Sequence, residues 1–199
     1  IQLNGDIGST TALDTLSVNS SQDIALNAAN VTADNTLAIS NGIALGAPVT
    51  TITSNAGAVN LTGVVSGDSL AVNAATGISM MANNNLNSVS AINLTSGNID
   101  AVNNQAWTVA ATNSATNGDI TLLNLVGDTT LNALTATTGT VNLTTAGSVI
   151  DNNAGASNIV ANEISVLNAS TGIGSLADGI EIEIATTVNA NSNSGDIVL

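Results

Sequence analysis

A short alternating strand, a turn rich in Asn, Ala, Thr and Gly, and a second alternating strand recur along the whole chain, and few folds accept that pattern. Leu70-Ala-Val72 leads through Asn73-Ala-Ala-Thr-Gly77 to Ile78-Ser-Met80. Trp107-Thr-Val109 leads through a longer turn to Gly118-Asp-Ile120-Thr-Leu122, and Ile182-Glu-Ile184 leads to Gly195-Asp-Ile197-Val-Leu199. Taking the turn residue before each second strand gives a register of Gly5, Asp23, Gly42, Gly57, Gly77, Gly97, Gly118, Gly139, Gly155, Gly172 and Gly195. From Gly57 to Gly139 the spacings are 20, 20, 21 and 21; outside that block they vary more.

Helix is a poor reading of these units. Val, Ile and Thr favour strands, while Asn, Ser and Gly are weak helix formers. The alternation also has period two, as in Ile180-Glu-Ile-Glu-Ile184 and in Val-Asn-Leu-Thr at 59–62 and 141–144. Strands of three to five residues bury nothing alone, but parallel stacking of successive coils joins their inward Val, Ile and Leu into one core. The pattern predicts an all-β parallel β-helix (a β-solenoid) of about ten coils of roughly 20 residues, forming one unit over 1–199. The 30 Asn belong at strand ends and turns, where they tolerate left-handed backbone and stack into amide ladders. Ile1-Gln-Leu3 begins within a strand pattern and Gly195–Leu199 stops within one, so a segment of a longer rod is expected, adjoining further solenoid or identical chains end to end.

Composition then removes whole classes of function. The chain has no Lys, Arg, His, Cys, Tyr or Phe, a single Trp, and a net charge of −14. Imidazole, thiolate and amine chemistry are excluded, as is zinc held by His and Cys. Nucleic-acid binding through phosphate neutralisation is excluded as well. No apolar run approaches the ~18 residues of a membrane helix, so no membrane insertion is expected.

Carboxylates are the only conventional catalytic groups left, and acids one period apart can stack on one face. Such pairs are Asp14 with Asp34, Asp100 with Asp119, Glu163 with Glu181 or Glu183, and Asp178 with Asp196. A pair about 5 Å apart would suit a retaining glycosidase. Without aromatic platforms the carbohydrate reading, whether binding or cleaving, stays the alternative, and no enzyme activity is expected. Glu163, Glu181 and Glu183 are the candidates for calcium, a hard cation that takes several oxygens; a solvated acidic face is the competing reading. No other cofactor is implied. Asn19, Asn30, Asn60, Asn93, Asn142 and Asn168 head Asn-x-Ser/Thr sequons, in a number that chance alone gives in a chain so rich in these residues. Thr-rich stretches such as Thr50–Thr53 and Thr135–Thr138 do not recur at a constant offset, so no flat Thr array is expected.

Three motifs carry a resemblance. Gly-Asp-Ile-x-Leu at 118–122 and 195–199, Gly-x-Val-Asn-Leu-Thr at 57–62 and 139–144, and Leu-Ala-Val-Asn-Ala-x-Thr-Gly-Ile at 70–78 are similar to filamentous-haemagglutinin-type repeats of large bacterial exoproteins. The resemblance implies a right-handed β-helix, export by two-partner secretion, and a place outside the cell or on the bacterial surface. It also implies a structural role as the shaft of an adhesin or fibre, with a host cell, a neighbouring cell or a carbohydrate as receptor. The complete absence of Lys and Arg departs from many such repeats.

Overall fold

A computed structural model describes residues 1–199 as an all-β parallel β-solenoid of about nine turns of ~21 residues, with no helix. Every strand pairing is parallel, each turn bonding to the turns above and below it. The turns are counted on the best-conserved column of the register: Leu16, Leu37, Val59, Ile78, Ile99, Ile120, Val141, Ile164 and Val188 stand in line. Nine turns rather than ten follow because the register read from turn residues changes corner. Asp23 and Gly42 precede the strands Ile24–Leu26 and Ile43–Leu45 on one face, whereas Gly57, Gly77, Gly97, Gly118 and Gly139 lead into another. The irregular step from Gly42 to Gly57 is therefore a move around the cross-section, not a turn of the coil.

Three faces can be defined. Face A holds Gln2–Leu3, Ile24–Leu26, Ile43–Leu45 and the start of Val65–Ala74. Face B runs from Asn30–Ala33 and Val49–Ser54 through the ends of Val65–Ala74 and Ile78–Asn93 to Trp107–Asn113 and the start of Thr129–Thr145. Face C carries the column of nine. Face A dwindles beyond residue 86, where only Asn104, Gln105 and Ala106 separate the strands Ile99–Asn103 and Trp107–Asn113. Late in the chain face B divides, Ser148–Asp151 following residues 129–131 and the start of Ile159–Ala169 following residues 134–136. Turns there lengthen to 23 and 24 residues on the face C column.

Alternation does the burying. In Trp107–Asn113 every second residue is buried, and the same parity holds in Val49–Ser54 and Ile120–Asn124. The inward side chains form one core cluster of 40 residues from Ile24 to Ile180. A continuous core of this kind lets strands of three to seven residues persist, because each strand's apolar side chains pack on those of the turns on both sides. At the corners the chain reverses through left-handed residues. Asn41 (φ 81°) and Asn117 (φ 56°) precede glycines, and Gly97 (φ 82°) lies so close to the turn below that a Cβ would sit 2.4 Å from Thr76 O.

Candidate functional site

The corners contain the polar half of the interior. Asn84, Asn103, Asn124 and Thr145 form one buried column, with Asn93 and Asn113 in another. Asn103 accepts the Leu86 N–H at 3.0 Å and donates to Leu86 O at 3.0 Å and Gln105 O at 2.8 Å. Asn113 donates to Gly97 O at 3.1 Å and Asp119 O at 2.8 Å. These amides satisfy turn carbonyls and N–H groups that the strand ladders leave over, which a buried corner requires. Trp107 is core, not a ligand platform: it is buried, and its Nε1–H donates to Thr129 Oγ1 at 3.0 Å.

Outside, acids meet amides more often than acids. Asn35 donates to Asp14 Oδ1 at 2.6 Å, Asn55 to Asp34 Oδ1 at 2.8 Å and Asn87 to Asp68 Oδ1 at 2.9 Å, each reaching from the following turn. The side chain and N–H of Asn30 hold the Asp6 pKa below its ordinary value. Burial raises that of Asp100, the Thr121 hydroxyl opposing it and the charge of Asp119 adding to it, while in the register Asp100 stands opposite Thr121.

The sequence candidates for calcium do not come together. Glu163 lies in register with Thr140 at the start of face C, and Glu183 lies beside Val160 around the corner. Glu181 precedes the strand Ile182–Ile184 and donates its N–H to Asn158 Oδ1 at 2.9 Å, while Glu183 accepts from the Ser157 hydroxyl. No three acids in the molecule converge to hold a metal ion. Of the sequon asparagines, Asn19, Asn30, Asn60, Asn142 and Asn168 are exposed or half-buried. Asn93 is fully buried and donates to Ser96 O and Gly97 O, each at 2.9 Å, so the folded coil offers no acceptor there. Its parity shows this, since Asn93 follows inward Val89 and Ala91 by even steps.

The most site-like feature is one that spacing did not single out. In the inward column Leu70, Val89, Val109 and Leu131, the next occupant is Asp151. Here the solenoid opens into a groove of about 410 Å³ lined by Ser148, Val149, Ile150, Asp151, Gly174, Ser175 and Asp178. Asp151 Oδ1 accepts from the side chain of buried Asn158 and from the Asn153 N–H at 3.0 Å. Its Oδ2 is buried without an N–H or hydroxyl donor, as is Glu181 Oε2. The Asp178 carboxyl reaches the Asp151 carboxylate across the groove and can donate to it only when protonated. The pair consequently splits. Burial pushes Asp151 up, but the bonds from Asn158, Asn153 and Asp178 prevail and hold it below the ordinary value. Asp178 is raised by its hydrogen bond to Asp151, by that neighbour's charge, by burial and by Glu181.

Between its two pKa values such a pair holds one proton. Carboxyls in hydrogen-bond contact stand closer than the ~5 Å that a retaining glycosidase needs for a bond between them. The anticipated partnership of Asp178 with Asp196 does not form; Asp196 sits at the corner before Ile197, which bridges to Ile173. Compared with protein-family models, curated proteins and solved structures, the chain matches none. What stands is the class: a parallel β-solenoid.

Proposed function

We propose that the chain is a length of shaft in a secreted bacterial surface fibre or adhesin, adjoining further solenoid at its ends and working in adhesion, aggregation or matrix formation without catalysis. The observation that carries this reading is the single core running from Ile24 to Ile180 through successive turns. Strands lie across the axis and their hydrogen bonds along it, so an axial load is shared by all the bonds joining two turns. The repeat motifs similar to filamentous haemagglutinin supply the extracellular setting. The lack of Lys and Arg adds resistance to trypsin-like proteases, an advantage for an exposed fibre. Electron microscopy of the native material with fibre diffraction tests it: rods with a ~4.8 Å meridional repeat are expected. Compact particles lacking that repeat would overturn it.

The groove at Asp151 and Asp178 favours one second reading, a carbohydrate-binding patch. Its carboxylates and the hydroxyls of Ser148 and Ser175 are acceptors and donors of the kind that hold sugar hydroxyls. Glycan-array binding that Asp178→Asn abolishes would support it, and an array without hits removes it.

A further inference from the structure

We infer that the outward side of face B, from Val49 to Thr135, is a docking surface for a second copy of the same chain. Five successive turns contribute three outward positions each: Val49, Thr51 and Thr53; Ser69, Ala71 and Asn73; Ser88, Ser90 and Ile92; Thr108, Ala110 and Thr112; Thr130, Ala133 and Thr135. None of the fifteen is charged in a chain of net charge −14. Face C, by contrast, carries Asp100 in the middle of its outward side. Two polyanions of the same sign can close on each other only where neither presents charge, and face B is the broadest such area.

The relief of the face also suits itself. The middle column, Thr51, Ala71, Ser90, Ala110 and Ala133, is a trough of mostly small side chains. On one side stands a ridge of Thr53, Asn73, Ile92, Thr112 and Thr135, so Thr residues that do not align by constant spacing are brought into one column by register shifts such as that between Val109 and Ala110. The apolar side chains of Val49 and Ile92 are 53% and 38% exposed on this face. A second copy displaced by one column seats its ridge in the trough, the interdigitation by which flat sheets pack dry. Five strands at ~4.8 Å and five residues at ~3.3 Å each give roughly 400 Å² per partner. The total of about 800 Å² is the size of a weak, transient contact, and the pairing is reversible for that reason. No aromatic side chain stands on the face to receive a sugar ring, since Trp107 points inward. The acids nearest the rim, Asp68 and Asp128, precede the face in their turns and oppose pairing until salt screens them.

Sedimentation velocity on the whole 199-residue chain tests the inference, in 20 mM and 500 mM NaCl across a concentration series. A reversible dimer is expected, at least about tenfold tighter at the higher salt. T53E/T112E, which places charge within the ridge, should weaken it by at least about tenfold, whereas S79E/T121E on face C should leave it unchanged. Circular dichroism establishes that both variants fold. The chain contains no cysteine, so Ser90→Cys with a short bismaleimide gives a second reading: a cross-linked dimer from Ser90→Cys and none from Ser79→Cys. A monomer at every concentration in 500 mM NaCl, or equal behaviour of the two face variants, overturns the inference. It does not rest on the fibre reading, because paired chains and long rods are scored by different measurements.

Discussion

The turns between Ile78 and Thr145 and those after Ser148 share one backbone plan, parallel ladders from turn to turn, and yet differ in what they seal. In the earlier block the inward columns hold Ile, Val, Leu, Trp and Asn whose amides donate to turn carbonyls. In the later block one inward column passes from Leu131 to Asp151, face B divides, and residues 175–178 are exposed, Leu176 to 91%. Ladder hydrogen bonds therefore do not define a sealed turn. The side chain that occupies each inward position does, because a backbone bond contributes little net free energy while an inward apolar group adds burial on two neighbouring turns.

Exchanging the two occupants tests this most harshly. Leu131→Asp places an unpaired carboxylate in a fully buried position, and a loss of more than about 4 kcal/mol is expected, enough to unfold the middle turns. Asp151→Leu should change stability by no more than about 1 kcal/mol, since the groove is open to solvent and relief of the charge on Asp178 offsets the partner taken from Asn158. Urea unfolding followed through buried Trp107 measures the first, and hydrogen exchange of residues 148–184 the second. Equal losses for the two substitutions would mean that the regions do not differ in the way described.

Next in size is the amide column. Asn103→Leu keeps the branching of the side chain but strands the Leu86 N–H and the carbonyls of Leu86 and Gln105, at an expected cost of about 3 kcal/mol. Asn152→Leu removes an exposed ladder bond of 2.7 Å to Asn132 in the later block and should cost under about 0.5 kcal/mol. Thr129→Val falls between them: it orphans the Trp107 Nε1–H, and a loss of about 1–2 kcal/mol in unfolding free energy, read from urea titration, is expected. Should Asn103→Leu prove as mild as Asn152→Leu, the interior amides would be packing alone.

Much of the sealed region was legible because period-two alternation holds along most of its strands. Val59-Asn-Leu61, Ile120-Thr-Leu122 and Val141-Asn-Leu143 each place their apolar residues inward, and Gly57 to Gly139 mark one corner throughout. The flanking turns misled because Asp23 and Gly42 serve a different corner, and a turn residue does not say which corner it turns. The groove was legible only in part. Asp151 stands two residues after inward Val149 in Ser148–Asp151, so its parity already pointed it at the core. Asp178, 27 residues away in a segment without strand pattern, could not be paired with it by a 20-residue period. The glutamates were grouped by a spacing of about one period, and a corner between Ala161 and Glu163, where the register shifts, separates them.

The smallest expected effect is also the sharpest on chemistry: the pH response of the open region. Asp178, with its pKa raised, contributes stability that is fully present below the ordinary value of 3.8 and lost as pH rises through the raised one. Asp151, with its pKa lowered, contributes stability present above 3.8 and lost as pH falls through the lowered one. Both contributions coexist only near pH 3.8, where the pair holds one proton, so protection of residues 174–181 from hydrogen exchange, corrected for intrinsic rates, should be greatest there and decline on both sides. Carbon-detected titration of the two carboxyls supplies the values as those of a coupled pair. Asp151→Asn keeps an acceptor for Asn158 but removes the charge, and should return the Asp178 titration toward 3.8 without moving that of Asp6, which is held by Asn30 at the other end of the rod. An Asp178 titration unchanged by Asp151→Asn would mean that the two carboxyls do not share a proton, and the groove would then be a gap in the coil, not a polar site.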